Sequence, residues 1–228
     1  MSEQQEAQEL GLSRVESAYR QLKQSILSNK FPPGYQALEP ELARTLGVSR
    51  TPVREALIRL EAEKLIELIP RRGMRVLPLV PVDIIEISQV LTALEGTSVE
   101  LLAKQDLGRD ALQPMTDAVA EMVDALRIDD IGIWSEAEEK FQRLLATLAG
   151  NHRLAVLVET VRAQAYRARK ITLKLRPKPY STTDAYGEIL EAVAVGDWQL
   201  AKERHFKLRL EITEILREIL DRYQLPHL

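Results

Sequence analysis

The stretch at residues 47–61, GVSRTPVREALIRLE, decides the fold of the N-terminal part of this 228-residue chain. Gly47 suits the turn after one short helix, and Ser49 is a good N-cap for a second helix with Pro52 in its first turn. Apolar residues would face inward and hold the two helices at a fixed angle: Leu42, Leu46, Val53 and Leu57. The stretch therefore predicts a helix-turn-helix.

The flanking sequence extends this unit in both directions. Before it, apolar residues recur at helical spacing and predict a first helix, which ends at the breaker FPPG of residues 31–34. The helix entering the turn is predicted to begin at Pro40, and the helix leaving it to continue through Leu65. Two short apolar runs, 66–69 and 74–77, then flank the sequence PRRG, which indicates a β-hairpin. Three helices plus a β-hairpin make a winged helix-turn-helix, predicted over residues 14–78.

Charge indicates a polyanionic partner for this unit. Residues 14–80 carry 12 Lys and Arg against 7 Asp and Glu, a balance of +5, whereas residues 81–228 carry 19 against 24, a balance of −5. The start of a recognition helix enters the DNA major groove, and the arginines of a hairpin reach the adjacent backbone or minor groove, where a glycine allows close approach. The predicted DNA contacts are Ser49, Arg50, Thr51 and Arg54 in the helix, and Arg71, Arg72, Gly73 and Arg75 in the hairpin. Arg59 is expected instead to pair with Glu55 on the helix surface.

The rest of the chain is predicted to be an all-α domain. Residues 79–82, which include Pro81, are expected to form a linker, and residues 1–13 a disordered tail. Six helices are predicted at 83–105, 109–127, 131–149, 151–175, 182–195 and 197–223, separated by Gly-, Asp- or Pro-containing breaks. Antiparallel helices with short connections form bundles, in which ligand cavities often lie between facing helices.

Composition narrows the functional class. The chain has no cysteine, no apolar run near the length of a membrane span, and a polar, acidic N-terminus unlike a signal peptide, so we expect a cytoplasmic protein without a membrane partner. Glu-x-x-His pairs, Gly-rich phosphate loops and Gly-x-Ser-x-Gly elbows do not occur. An enzyme is therefore not expected.

The sequence PPG…ELARTLGVSRTPVREALIRLEAEKLI…RRGMRV closely resembles the winged helix-turn-helix of the GntR family of bacterial regulators. This resemblance implies a homodimeric regulator, more often a repressor than an activator, that binds a double-stranded operator expected to be palindromic. It also implies that Ser49, Arg50, Thr51 and Arg54 read the operator, with Arg72 and Gly73 in the wing. The segment at 37–41 departs from the family, because Pro40 or Glu41 stands where many members have a basic contact residue.

Residues 83–228 resemble the all-helical FCD effector domain of the FadR/VanR branch, with six helices as in the VanR-like arrangement. The resemblance rests on Leu94-Glu95, on FQRLLATLAGNHRL and on GEILEAVAVGDWQLA. Many such domains hold a metal through one Asp and three His, but the corresponding positions here are Glu138, Gln142, Tyr186 and Leu208. His205, one turn before Leu208, is the one candidate substitute. Because this is a poor transition-metal set, we expect no metal and no other cofactor.

The same resemblance places an effector cavity in this domain. An arginine that often binds the effector carboxylate is replaced by Leu91. We therefore expect a small organic effector held by hydrogen bonds from Glu138, Gln142 and Tyr186, with Arg162 supplying charge. Two alternatives remain open: in one, Tyr186 and Gln142 are satisfied polar groups of the core, and in the other, the domain serves dimerisation alone.

Overall fold

The structure is a computed structural model that describes residues 13–78, 80–105, 107–173 and 175–223. The chain divides into two compact units, one formed mainly by residues up to Val80 and one mainly from Pro81 onward. The predicted disordered tail lies outside the described residues, apart from Ser13. Ser13 caps the first helix, because its Oγ accepts a hydrogen bond of 3.1 Å from the backbone N–H of Glu16.

The first unit is a winged helix-turn-helix, as the sequence predicts. Helix α1 spans Arg14–Leu27, α2 spans Glu39–Leu46 and α3 spans Arg50–Ala62, while strands β1, β2 and β3 span Gln36–Ala37, Ile66–Ile69 and Gly73–Val76. Gly47 ends α2 in the left-handed conformation with φ of 65°, as expected for the turn glycine.

The sheet of this unit differs from the predicted hairpin in having a third strand. Strand β1 pairs antiparallel with β3, giving the order β1-β3-β2, with Ala37 opposite Met74. A strand of two residues is too short to show an alternating pattern, so the sequence carried no signal for it. Helix α3 also ends before the predicted Leu65, because Lys64 adopts φ of 58° and turns the chain into β2.

One hydrophobic core holds this unit together. It takes side chains from all three helices and from the sheet, and their near-complete burial fixes the angle between α2 and α3. The fully buried members include the four residues predicted to face inward, together with others from α1 and the strands: Leu22, Ile26, Leu42, Leu46, Val53, Leu57, Leu60, Met74 and Val76.

The second unit consists, in its described residues, of the six predicted helices. Their bounds are Pro81–Ala103 for α4, Arg109–Arg127 for α5, Ile131–Leu148 for α6, His152–Leu173 for α7, Tyr180–Ala194 for α8 and Trp198–Tyr223 for α9. Each end lies within two residues of its predicted position. Helix α4 begins inside the predicted linker, because proline is tolerated at the first position of a helix.

Helix α4 packs on α9 and also contacts α6 and α8, and helix α5 packs on α6 and α8. A buried hydrogen bond of 2.8 Å from Trp134 Nε1 to Thr183 Oγ1 joins α6 to α8. None of the helices in the described residues is long and apolar enough to cross a membrane.

Candidate DNA-binding surface and buried polar site

The first turn of α3 presents the predicted recognition residues to solvent. Ser49 is the N-cap, with φ of −73° and ψ of 168°, but its side chain makes no capping hydrogen bond. Arg50, Thr51 and Arg54 follow, all exposed, while Val53 between them is buried in the core. The core thus fixes this turn from inside and leaves its hydroxyls and guanidinium groups to an outside partner.

The arginines of this surface differ in whether they form ion pairs with the rest of the described chain. Arg50, Arg54, Arg71 and Arg72 make no ion pair within the described part of the chain. Arg75, by contrast, pairs with its cross-strand neighbour Glu67. Unpaired guanidinium groups are available to phosphates and base edges, whereas Arg75 would first have to exchange one anion for another.

Gly73 is required by the packing of the wing itself, apart from its predicted approach to DNA. Its φ is 80°, and a Cβ at this position would lie 2.1 Å from the carbonyl oxygen of Ala37 and 2.8 Å from Leu38 Cα. The glycine therefore allows β1 to pack closely against the start of β3, and its role in this structure is to shape the wing.

Two other residues of this unit have partners that the sequence did not reveal. Arg59 pairs with Glu16 of α1 at 2.8 Å, and its guanidinium lies 3.8 Å from the ring centroid of Tyr19, so the predicted pair with Glu55 is wrong. Glu41 accepts a hydrogen bond of 3.0 Å from the backbone N–H of Leu38. Glu41, where the family often has a basic residue, thus caps the start of α2.

In the second unit, the three predicted polar residues form one buried hydrogen-bonded chain. Gln142 Nε2 donates to the hydroxyl oxygen of Tyr186 at 2.6 Å, and that hydroxyl donates to Glu138 Oε1 at 2.8 Å. Burial and the negative charge of Glu138 raise the pKa of Tyr186, so the hydroxyl remains a donor. Phe141 packs against the Tyr186 ring, with 4.8 Å between centroids.

A series of ion pairs extends this chain toward α4. The second oxygen of Glu138 accepts a hydrogen bond from Arg169 Nη2, whose Nη1 lies 3.5 Å from Glu139 Oε2. Arg162 joins Glu139, at 2.8 Å, to Glu95 Oε1, at 3.4 Å. Arg169 and Glu139 were not predicted as site residues, and neither was Glu95, because charged residues on helices usually indicate a solvated face.

Glu95 is the acidic centre at the other end of the series. Its Oε2 lies 3.5 Å from His205 Nε2 and 3.6 Å from Arg209 Nε. Burial alone would raise the pKa of Glu95, but the charge of Arg209, the neighbouring His205 and the charge of Arg162 together lower it to about 2. Glu95 is therefore ionised, and His205, the expected substitute metal ligand, faces a carboxylate held by two arginines.

Positive charge exceeds negative charge in this cluster. Four arginines (162, 169, 176 and 209) face three glutamates (95, 138 and 139) among the described residues. Arg176 donates to Thr172 Oγ1 at 2.9 Å, and burial and the charge of Arg169 lower the pKa of Arg176 to about 10. Within the described residues, Arg176 Nε, His205 Nδ1 and Gln142 Oε1 are buried without a hydrogen-bond partner.

The remaining predicted positions, Leu91 and Leu208, are both buried and apolar. His205 also lines a cleft of about 650 Å³ between α4 and α9, to which Gly96 and Phe206 contribute as well. The unit thus has a charged interior site beside an apolar wall, with one cleft reaching His205.

The residues at the expected metal position do not fit a metal. Both carboxylate oxygens of Glu138 are already hydrogen-bonded, Gln142 donates to Tyr186, and Leu208 offers no ligand atom. In the described ranges, no group of three or more His, Asp or Glu residues is arranged to hold a metal ion. A carboxylate bound by a guanidinium is also a poor ligand, because the metal must displace a charged partner.

Family models match both units of the chain. Residues 14–76 match the model for the gntR family of bacterial regulatory proteins, and residues 86–207 match the model for the FCD domain. Together, these domains and the relatives that follow indicate a transcriptional regulator rather than an enzyme.

An uncharacterized HTH-type transcriptional regulator of Agrobacterium vitis, from the TAR-I ttuE-ttuC' intergenic region, is 42% identical over 138 residues, which are 60% of this chain and 81% of that protein. A probable D-xylose utilization operon transcriptional repressor of Paenarthrobacter nicotinovorans is 28% identical over 183 residues, covering 78% of this chain and 77% of that protein. The solved structure of E. coli McbR/YncC has the same fold, with a TM-score of 0.76 at 19% identity over 91% of this chain and 98% of that one. The chain therefore belongs to the GntR family of DNA-binding transcriptional regulators, with an FCD domain after its winged helix-turn-helix.

Proposed function

We propose that this protein is a sequence-specific repressor whose affinity for its operator changes when a small anionic metabolite binds in the helical domain. The buried charged cluster of the second unit is the observation that carries the effector proposal. A cluster that served packing alone would pair its charges and satisfy its donors, because an unsatisfied buried polar group costs roughly 1–3 kcal/mol. Here one guanidinium is in excess, and buried nitrogens lack partners within the described residues.

The chemistry of these groups defines the effector that would fit. Arg176 and His205 supply donors that an anionic group would satisfy, and Gln142 Oε1 supplies an acceptor for a hydroxyl or amine. The apolar side chains of Leu91 and Leu208 suit a carbon skeleton. The family arginine that Leu91 replaces thus has its counterparts in His205 of α9 and in Arg176, which follows the end of α7.

The first turn of α3 supports sequence-specific DNA binding. It brings two unpaired arginines, Arg50 and Arg54, to one exposed helix end beside Ser49 and Thr51. An arginine can bind guanine O6 and N7 together, and a helix N-terminus favours the negative charge of nearby phosphates. Repression is proposed by analogy with the Paenarthrobacter relative, which is named as a repressor.

A homodimer is part of the proposal. Val156 and Leu157 on α7 are about half exposed, at 50% and 54%, beside a surface cleft that also includes Leu101. A second copy of this chain would bury these side chains, and two winged heads would then bind two half-sites of a palindrome. An effector that fits one arrangement of the helical domains better would shift the spacing of the heads and so the affinity for DNA. We propose a cytoplasmic location and no catalytic activity.

The DNA-binding part is tested by fluorescence anisotropy on fragments of the protein's own upstream region and on random DNA at physiological salt. Arg54→Ala is expected to weaken operator binding by ~1–3 kcal/mol, about 5- to 150-fold, if Arg54 reads a base. Arg127→Ala, an exposed arginine of α5, is the matched control. Equal losses for Arg54→Ala on both DNAs would make it a phosphate contact, and no specific fragment in a genome-wide selection would refute the proposal.

The effector part is tested by a thermal-shift screen of organic acids on the full-length protein, followed by anisotropy with each hit. A ligand at about 100 times its dissociation constant adds roughly 2.7 kcal/mol to the stability of the folded state. The stabilisation is expected to disappear in Arg176→Met and to persist in Arg143→Met, which changes an exposed arginine of α6. A hit that stabilises all three proteins equally would bind elsewhere, and hits that never alter DNA affinity would favour a domain used for dimerisation alone.

A further inference from the structure

The carboxylate at the first metal-ligand position implied by the FCD resemblance is bound to a cation of the chain itself. The guanidinium of Arg169, from α7, lies against Glu138 of α6 and also contacts the neighbouring Glu139 at 3.5 Å. Glu138 is the carboxylate at the expected first ligand position, and Tyr186, at another ligand position, donates to it. Two of the expected ligand positions are therefore connected to the guanidinium of Arg169, Glu138 directly and Tyr186 through Glu138.

We propose that Arg169 is the permanent cation of this site and provides the charge for which related domains use a metal ion. The guanidinium is planar and always charged, and its fork can bind two acceptors at once, which suits the adjacent carboxylates of Glu138 and Glu139. Arg162 lies 2.8 Å from the same oxygen of Glu139 that Arg169 contacts, so two arginines of α7 share this carboxylate of α6.

This arrangement has a consequence for the stability of the second unit. A metal ion joins helices only when it is bound, and its affinity varies with pH and with chelators. A guanidinium belongs to the chain and joins α6 to α7 under all conditions in which the glutamates are ionised. The helical domain should therefore fold without divalent metal, whether or not the proposed effector exists.

The unaltered protein provides the first test. Full-length protein purified without added metal is expected to contain far less than one transition-metal ion per chain by plasma mass spectrometry. Its melting temperature is expected to stay the same after dialysis against EDTA and after addition of Zn²⁺. A stoichiometric metal, or a lower melting temperature after EDTA, would overturn the proposal.

Variants test the charge itself. Arg169→Met should lower the melting temperature by several degrees, since it leaves Glu138 buried without its cation, whereas the control Arg143→Met should not. The double variant Glu138→Gln, Arg169→Met removes both charges and should regain a large part of that loss, which a merely steric role of Arg169 would not allow. If Arg169→Met fails to fold, the comparison of Glu138→Gln with the double variant gives the cost of removing Arg169 when Glu138 is neutral, and a double variant that folds and melts close to Glu138→Gln would support the proposal. Melting of Arg169→Met like the control, or additive losses in the double variant, would refute the role of Arg169.

Discussion

Removal of one buried hydroxyl, in Tyr186→Phe, tests whether the polar chain holds the helical domain together. Phenylalanine keeps the ring and its packing on Phe141, so no cavity is created. The change removes a hydrogen bond to the ionised Glu138, which contributes about 1.5–3 kcal/mol, and leaves Gln142 Nε2 without its acceptor at a further cost of about 1 kcal/mol. We therefore expect a loss of ~2.5–4 kcal/mol in the free energy of unfolding.

The assay is thermal unfolding of the full-length protein followed by circular dichroism. At about 2–4 °C per kcal/mol for a chain of this size, the melting temperature should fall by on the order of 10 °C. Tyr180→Phe is the control, because its side chain lies at the start of the same helix and is exposed. If Tyr186→Phe melts within about 1–2 °C of this control, a difference of about 0.5 kcal/mol, the hydroxyl does not hold the domain together, since surface substitutions have effects of that size.

Three further predictions concern both units. Gly73→Ala should destabilise the wing more than Gly34→Ala, because both residues have φ of 80° but of these two only Gly73 would place a Cβ against backbone. Urea denaturation and operator affinity measure the difference, and equal effects of the two substitutions would contradict the prediction. Glu16→Gln should lower the unfolding free energy by less than about 1 kcal/mol, and high salt should remove this effect, because the ion pair of Glu16 with Arg59 is exposed to solvent. A larger loss that does not depend on salt would show that the ion pair is shielded from water. The lowered pKa of Glu95 stabilises the folded state above pH 4.5, and this stabilisation should be lost as the pH falls from 4.5 to about 2. Across that range, the urea midpoint of Glu95→Gln should decline less than that of the unaltered protein, and a parallel decline of the two would exclude Glu95 as a cause.

The helices and the helix-turn-helix were predictable because their signals are local. The 3.6-residue apolar spacing, the cap at Ser49, the turn glycine Gly47 and the proline breaks all act within one or two turns of chain. The predicted recognition residues also follow from local order, since three positions at a helix start must share one end of it. The short strand β1 was missed because its pairing with β3 depends on residues far apart in the chain.

Part of the buried site was predictable from the sequence, and the residues that were missed are charged ones. Glu138, Gln142 and Tyr186 were predicted through their family positions, whereas Glu95 and Arg169 resemble any charged residue on a helix surface and Arg176 lies in the turn after α7. A weak signal existed in the sequence YRARK of residues 166–170, because basic residues at this spacing are not all expected on one face of a helix. Helical periodicity alone does not show which of these residues meets a glutamate from another helix.

The amino-acid sequence by itself determined the helical elements, the winged helix-turn-helix and the family of this protein, because turns, caps and apolar spacing are encoded within neighbouring residues. The tertiary structure alone decided which charges meet. Arg169 lies 31 residues from Glu138, and Arg162 lies 67 from Glu95. Such ion pairs form only when packed helices exclude water and bring the two side chains together. Their stability depends on how deeply they are buried, which a local sequence pattern does not show.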